Sequence, residues 1–523
     1  MVSQVTPEEL HDALAAEGPY AVVDLRPSLP YVEGHIPGSI HVERATLEQR
    51  LPVVVPHMAV TTVLVDGEGE RAPADARWLQ QLGYTDVRVL AGGYAAYEAA
   101  GLPVVAAVDG VHATAFNTAS KRFGEEVEHR FDPPRLSPDA VAERAEELTI
   151  IDVRNPPEYD AYGTLPGSIN IEGVDVALYA EAARRDDEPL VLHCAGRTRS
   201  IMATATLQAL GVEEVYELEN GTMGWQLAGH QLATGQERPT GLTVAPGRRA
   251  QLRARVEELL AETAVEWIDA AELDATIAER ATDTAVYCID VRPEAAAAAG
   301  THPAARSIAG GQLLQTTESE IGVRAGQIIL LSDSHIRAGI TAYWLAEMGY
   351  PAVAVVRGGL AAWTDAGGEP TPPQPPAPLA VDTSAVEVVA PRAVEASAAE
   401  TVLDCRSRAA YAVGHIPGAV WVGRYHLEES LQDRDSPAVV LVDAGDGVAA
   451  MAVAQVASVG PDRAPELRVV KGGMPAWVAA GNTPTADAAT YAWPDETAVP
   501  KPYAQGTAAM RAYLAWEEAL VDE

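Results

Sequence analysis

The sequence predicts an α/β fold that occurs four times in tandem, each domain being a parallel sheet flanked by helices. Two observations support this fold class. Apolar strands of four or five residues alternate with helical stretches, which is typical of a buried parallel sheet. A set of sequence landmarks also recurs four times along the 523 residues. The interval between copies suits a whole domain and is too long for a solenoid unit.

Each copy opens with a short apolar strand that ends in the pattern Asp-x-Arg. The four aspartates are Asp24, Asp152, Asp290 and Asp404. A turn rich in glycine and proline follows about ten residues later. It reads Gly-His-Ile-Pro-Gly at residues 34–38 and 414–418, and is altered at residues 163–167 and 300–303.

A second apolar strand then leads through a loop into an amphipathic helix. These strands are expected at Thr62–Val65, Leu190–His193, Ile328–Leu331 and Val439–Val442. Each copy closes with a glycine-containing turn and an aromatic residue; the turn glycines are Gly93, Gly221, Gly359 and Gly473. These glycines are separated by the same intervals as the four aspartates. Two independent landmarks in one register indicate duplication.

The landmarks and the composition of the intervening segments predict the domain limits. We expect domains at 1–107, 136–235, 263–372 and 380–485, linkers at 108–135 and 236–262, and a tail at 486–523. A proline-rich break, Thr371–Pro378, precedes the fourth domain. Helices are predicted at Arg248–Ala261 in the second linker and at Thr507–Leu520 in the tail.

Composition and charge exclude several classes of protein. A net charge of −37 disfavours binding to nucleic acid or to an anionic membrane. No apolar run approaches the ~20 residues that span a bilayer, and Met1–Leu10 does not resemble a signal peptide. Three cysteines make no disulfide framework. We therefore expect a cytoplasmic protein that binds neither nucleic acid nor membranes.

The candidate chemistry lies in the loop that follows the second strand of the second domain. The order Cys194, Ala195, Gly196, Arg197, Thr198, Arg199, Ser200 leads into a helix predicted over Ile201–Gly211. Ligands bind at this edge of an open α/β sheet. Free N–H groups, the helix dipole and two arginines would lower a cysteine pKa from ~8.5 into the range of about 3.5–7.5. We predict that Cys194 is a thiolate nucleophile, because a cysteine that only fills the core needs neither the glycine nor the arginines.

The other three domains are predicted to be inactive. Their residues at the cysteine position are taken to be Asp66, Asp333 and Asp443, and a carboxylate cannot carry a sulfane sulfur. Cys288 and Cys405 lie within first strands and are expected to be core residues. His193 should point away from the side of Cys194 and serve a structural role. No metal-ligand spacing and no nucleotide-binding glycine motif is present, so no metal or cofactor is expected.

The ordered motifs of all four copies, from about Val5 to Pro484, resemble the rhodanese family. The resemblance implies a sulfurtransferase with ping-pong chemistry. Cys194 would take sulfur from thiosulfate or a low-molecular-weight persulfide and pass it to cyanide or a thiol. By position, the loop residues through Ser200 would form the anion cradle, with Arg197 and Arg199 holding the donor. Arg154 could reach the pocket rim, and Glu158 could pair with it.

The loop also departs from the family pattern. Counting the cysteine as the first residue, the loop has its glycine, Gly196, in the third place, whereas many family members have it in the fourth. The Cys-Gly start of mercaptopyruvate-using members is absent. Two domains that are predicted to be inactive follow the one that carries Cys194. Two alternatives stay open. One is a carrier or scaffold that holds a persulfide for a sulfur-accepting protein without turnover. The other, cysteine phosphatase or arsenate reductase chemistry, needs an arginine where Ser200 stands. A homodimer also stays open.

Overall fold

A computed structural model describes the chain except for residues 1, 16–17, 19, 109, 186, 237, 240, 395–399, 433–437, 460–464, 487–488, 494–498 and 522–523. The chain divides into two compact units. One unit comprises Met1–Val104 and Ala377–Val499, and therefore the first and fourth domains. The other comprises Val105–Pro376 and Pro500–Glu523, and therefore the second and third domains together with the end of the tail.

The first domain and the linker after it contain the elements β1 (Ser3–Val5), α1 (Pro7–Ala15), β2 (Tyr20–Asp24), α2 (Ser28–Glu33), β3 (Ile40–His41), α3 (Leu47–Val54), β4 (Thr61–Val65), α4 (Ala72–Gln81), β5 (Val87–Leu90), α5 (Gly93–Ala99) and α6 (Thr118–Phe131). The second domain and its linker continue with β6 (Arg135–Leu136), α7 (Pro138–Glu143), β7 (Thr149–Asp152), α8 (Pro156–Tyr162), β8 (Ile169–Asn170), α9 (Val176–Ala183), β9 (Leu190–His193), α10 (Thr198–Ala209), β10 (Val215–Leu218), α11 (Gly221–Leu227) and α12 (Pro246–Ala261).

The third domain contains β11 (Glu266–Ile268), α13 (Leu273–Arg280), β12 (Val286–Asp290), α14 (Glu294–Ala297), β13 (Arg306–Ser307), α15 (Gly310–Glu320), β14 (Gln327–Leu331), α16 (Ile336–Glu347), β15 (Val353–Val356) and α17 (Gly359–Asp365). The fourth domain and the tail contain β16 (Glu387–Val389), β17 (Thr401–Asp404), α18 (Arg408–Val413), β18 (Val420–Trp421), α19 (Leu427–Gln432), β19 (Ala438–Val442), α20 (Val448–Val459), β20 (Glu466–Val470), α21 (Gly473–Ala479), β21 (Thr490–Tyr491) and α22 (Thr507–Ala519). Short 3₁₀ turns lie at Arg44–Thr46, His112–Ala115, Ala145–Glu147, Gly173–Asp175, Ala270–Glu272, Pro391–Ala393, Arg424–His426 and Pro502–Ala504.

The four sheets share one parallel topology, which confirms the predicted fold class. The strand orders are β1-β5-β4-β2-β3, β6-β10-β9-β7-β8, β11-β15-β14-β12-β13 and β16-β20-β19-β17-β18-β21. In the second domain, Leu190 and Leu192 of β9 face one apolar cluster, whereas Val191 faces another. Helices therefore cover both faces of the sheet, which is why its strands are continuously apolar.

The helices predicted outside the domains are present, the helix after the cysteine loop begins earlier than predicted, and α6 was not predicted. The linker and tail helices are present as α12 and α22. The helix after the cysteine loop begins at Thr198 instead of Ile201, because the N–H groups of Ser200 and Ile201 both donate to the Arg197 carbonyl. Thr198, Arg199 and Ser200 consequently belong to the first turn of α10, where the N–H groups of Thr198 and Arg199 have no intrahelical acceptor.

Candidate active site

Cys194 follows directly after the central strand β9, and its backbone is hydrogen-bonded to the closing glycine turn of its domain. Its carbonyl accepts a hydrogen bond of 2.9 Å from the Thr222 N–H, and the Ala195 carbonyl accepts one of 3.0 Å from the Met223 N–H. Gly221 has a φ of 53°, and a Cβ built there would lie 2.4 Å from the Cys194 carbonyl oxygen. The closing glycine therefore packs directly against the backbone of the cysteine loop, because only glycine allows this approach.

The thiol of Cys194 is enclosed, with 2% of the residue exposed. Its Sγ lies 3.5 Å from the Ser200 hydroxyl and 3.7 Å from the Arg197 carbonyl oxygen. Burial raises the pKa of Cys194, while the charge of Arg199 and hydrogen bonding from Ser200 oppose the rise. The sequence prediction of a lowered pKa is wrong, since desolvation outweighs the nearby positive charge.

Arg197 does not face the sulfur, contrary to the predicted donor-binding role. Its guanidinium forms two hydrogen bonds to Glu125, at 2.8 and 2.7 Å, and also pairs with Glu128. Further bonds reach Asn220 at 3.2 Å and Glu518 at 3.0 Å. The carboxylates come from α6 and α22, so only the tertiary packing reveals that this arginine is already occupied.

Arg199 is the side chain whose positive charge opposes the rise in the pKa of Cys194. It is bound to Glu158 by two hydrogen bonds of 2.8 and 3.0 Å. Arg154 instead pairs with Asp152 at 2.6 Å and donates to the Gly163 carbonyl. Arg154 is fully buried by these contacts, so it does not lie at a pocket rim and does not pair directly with Glu158.

A cluster of carboxylates behind the loop was missed from the sequence. Glu125 and Glu128 of α6 and Glu217 of β10 surround the Arg197 guanidinium. Burial and the neighbouring Glu128 raise the pKa of Glu217 to about 8, and burial raises the pKa of Glu125 to about 7. Glu125 and Glu128 lie within the segment 108–135, which the sequence predicts to be a linker.

The tail helix α22 closes the site from the other side. Thr198 donates a 2.6 Å hydrogen bond to Glu517 Oε1. Met510 and Leu514 pack with Met223 in a small apolar cluster. The Lys121 ammonium of α6 lies 5.2 and 5.1 Å from the ring centroids of Tyr513 and Trp516, respectively, and donates to the carbonyls of residues 113 and 116. Helices α6 and α22 are thus parts of the site and are not spacers.

This architecture agrees with a family model described as the rhodanese-like domain. That model matches residues 6–100, 137–228, 269–366 and 390–480, which is most of the chain.

The chain belongs to the rhodanese family.

Similar proteins carry names from this family. The crystal structure of thiosulfate sulfurtransferase from Pseudomonas aeruginosa is 31% identical, with a TM-score of 0.87 over 100% of this chain and 97% of that chain. Thiosulfate sulfurtransferase GlpE from Pseudoalteromonas translucida (strain TAC 125) is 30% identical over 83 residues, 16% of this chain and 77% of that relative. GlpE from Pseudomonas fluorescens (strain SBW25) is 31% identical over 93 residues, 18% of this chain and 84% of that relative.

Two of the other rhodanese-like domains fill their loops with a carboxylate. Asp66 accepts hydrogen bonds from the N–H groups of Gly69, Arg71 and Ala72 at 2.5, 2.7 and 2.7 Å. Asp443 accepts from residues 445 and 449 at 2.9 and 3.0 Å. In these domains the side chain at the cysteine position is itself the bound anion.

The third rhodanese-like domain requires a correction. Val291 N–H donates to the Leu331 carbonyl, as Val153 N–H donates to the His193 carbonyl in the second domain. Ser332, one residue after Leu331, is therefore the counterpart of Cys194, and Asp333 lies one position further on. Its carboxylate pairs with Arg337 at 2.7 Å. Sequence spacing missed this shift because an aspartate stood close to the expected position.

The remaining candidates have structural surroundings. His193 is buried, with Nε2 3.0 Å from the Ser168 hydroxyl, and burial lowers its pKa. Cys288 and Cys405 are buried, and burial raises the pKa of both thiols. Within the described residues, no three His, Cys, Asp or Glu side chains are grouped so that they could hold a metal ion. No helix in the described part of the chain is long and apolar enough to span a membrane.

Proposed function

We propose that the protein is a sulfurtransferase in which Cys194 carries a persulfide between a donor, such as thiosulfate or a low-molecular-weight persulfide, and an acceptor, such as cyanide or a thiol. The observation that carries this proposal is the contrast among the loops. In the first and fourth domains a carboxylate occupies the backbone N–H groups. In the second domain, the N–H groups of Gly196, Thr198 and Arg199 donate to no other group within the described residues. That cradle is open to an anion bound at Cys194.

The chemistry follows from this cradle. The Cys194 thiolate attacks the outer sulfur of thiosulfate, a new S–S bond forms, and sulfite leaves with the electron pair of the old S–S bond. Cyanide then attacks the outer sulfur of the persulfide, which gives thiocyanate and restores the thiolate. Free N–H groups at the start of α10 and the charge of Arg199 stabilise the negative persulfide between the two steps.

The test is thiosulfate:cyanide sulfurtransferase activity of the wild type and of Cys194→Ser, with intact mass recorded after exposure to thiosulfate. We expect the wild type to gain one sulfur atom and to form thiocyanate, and the variant to lose both properties. Cys288→Ala serves as the matched control, since its thiol lies in a sheet interior and should leave both properties intact. Thiocyanate formation that persists in Cys194→Ser would contradict the proposal.

The second candidate function is a persulfide carrier that serves one partner protein. The enclosure of Cys194 under α22 favours it, because a covered thiol should react slowly with small donors. Rapid sulfur transfer to a protein acceptor, together with slow turnover of small acceptors, would distinguish this role. Phosphatase or arsenate chemistry gains no support, since the sixth place after Cys194 is a serine whose hydroxyl contacts the sulfur.

A further inference from the structure

We propose that Glu517 of the tail helix is a specificity-determining residue that selects sulfur donors of low negative charge. The inference rests on the proposed sulfurtransferase function and deepens it, because it concerns which donor reaches the Cys194 loop. It assigns a role in the active site to a segment that lies outside all four rhodanese-like domains.

The position of the Glu517 carboxylate carries the argument. The residue is 2% exposed, and its Oε1 accepts the hydrogen bond from Thr198 in the first turn of α10. Its Oε2 is buried and has no hydrogen-bond partner within the described residues. A methyl group built on Gly196 would lie 3.3 Å from this oxygen. The carboxylate therefore lies beside Gly196 of the loop and is hydrogen-bonded to Thr198, two residues whose N–H groups belong to the cradle.

The charges around the loop leave the Glu517 carboxylate without a hydrogen-bonded cation among the described residues. The Arg197 guanidinium is shared among Glu125, Glu128 and Glu518, and Arg199 is bound by Glu158. The ammonium of Lys121 donates to backbone carbonyls and interacts with Glu517 through its charge, without a hydrogen bond. The charge of Glu517 also contributes to the raised pKa of Cys194. A donor that enters this loop meets the same negative charge.

Repulsion of this kind scales with the charge of the donor. Thiosulfate carries two negative charges. Methanethiosulfonate has a similar shape but carries one, because a methyl group replaces an oxygen. The reaction is otherwise the same: the Cys194 thiolate attacks the outer sulfur, and methanesulfinate leaves with the electron pair of the broken S–S bond. The pair of donors therefore isolates charge from size and mechanism.

The experiment compares kcat/KM for the two donors in the wild type and in Glu517→Gln, with cyanide as the acceptor. We expect the substitution to raise the thiosulfate value about 30-fold and the methanethiosulfonate value about fivefold, since a dianion experiences twice the repulsion of a monoanion. The preference for methanethiosulfonate should fall about sixfold. Any change in the reactivity of Cys194 itself cancels in this ratio. A poorly folded variant would lose both rates in parallel.

Glu126→Gln is the matched control. It removes the same charge from α6, a helix that also packs against α10, but its side chain is exposed. We expect its donor preference to equal that of the wild type. A ratio that is unchanged in Glu517→Gln while the wild type forms the Cys194 persulfide would overturn this inference alone. Absence of the persulfide with both donors in the wild type would overturn the proposed function and this inference together.

Discussion

The buried carboxyl group of Glu217 makes the stability of the second domain depend on pH. Both of its oxygens are buried without hydrogen-bond partners within the described residues. Its pKa is raised from 4.5 to about 8, mainly by burial. The native state therefore holds this proton more tightly than the unfolded state. The stabilising effect is fully present below about pH 4.5 and is lost as the pH rises to about 8.

The expected magnitude follows from these two pKa values. One unit of pKa corresponds to about 1.4 kcal/mol. Between pH 5.5 and 7.5, titration of this one group should lower the free energy of unfolding by about 2.5 kcal/mol. Glu217→Gln replaces the group with a neutral amide of the same shape, so that this part of the pH dependence disappears. Glu125, with a pKa raised to about 7, titrates in both proteins.

Native-state hydrogen exchange read by mass spectrometry measures this effect where it arises, because it reports opening free energies for individual segments. The segment 212–219 contains β10, and its protection should fall more steeply with pH in the wild type than in Glu217→Gln. Glu213→Gln, an exposed change in the same segment, should follow the wild type. Parallel pH profiles for the wild type and Glu217→Gln would refute the reasoning that the buried acid is neutral in the native state.

Two further predictions concern the loops. Arg199→Gln should move the midpoint of Cys194 alkylation by iodoacetamide to higher pH, because it removes a charge that lowers the thiol pKa. The same change at the exposed Arg253 of α12 should leave the midpoint in place. Equal midpoints for the wild type and both variants would contradict the effect of Arg199 on the thiol. Asp66→Ala should destabilise the first domain by about 3 kcal/mol, since three N–H groups lose their charged acceptor. Hydrogen exchange in β4 measures this loss, and a loss below about 1 kcal/mol would argue against a filled cradle.

The sequence by itself determined the fold and the place of Cys194 directly after a central strand. Apolar runs such as Leu190–His193, bounded by turn residues, predict buried strands, and the closing glycine recurs because the Gly221 turn packs against the backbone of Cys194. These features depend on residues close in the chain or on a glycine that no other residue can replace. They therefore appear as patterns that can be recognised without coordinates of any kind.

Only the tertiary structure decided the electrostatics of the site. Arg197 is engaged by Glu125, 72 residues earlier, and Thr198 is bonded to Glu517, 319 residues later. No local pattern contains such pairings. Burial of Cys194 reversed the expected direction of its pKa shift, because the cost of desolvating a thiolate depends on every group that excludes water. The same reason applies to Glu217, whose neutral state follows from the packing around it and not from its neighbours in the sequence.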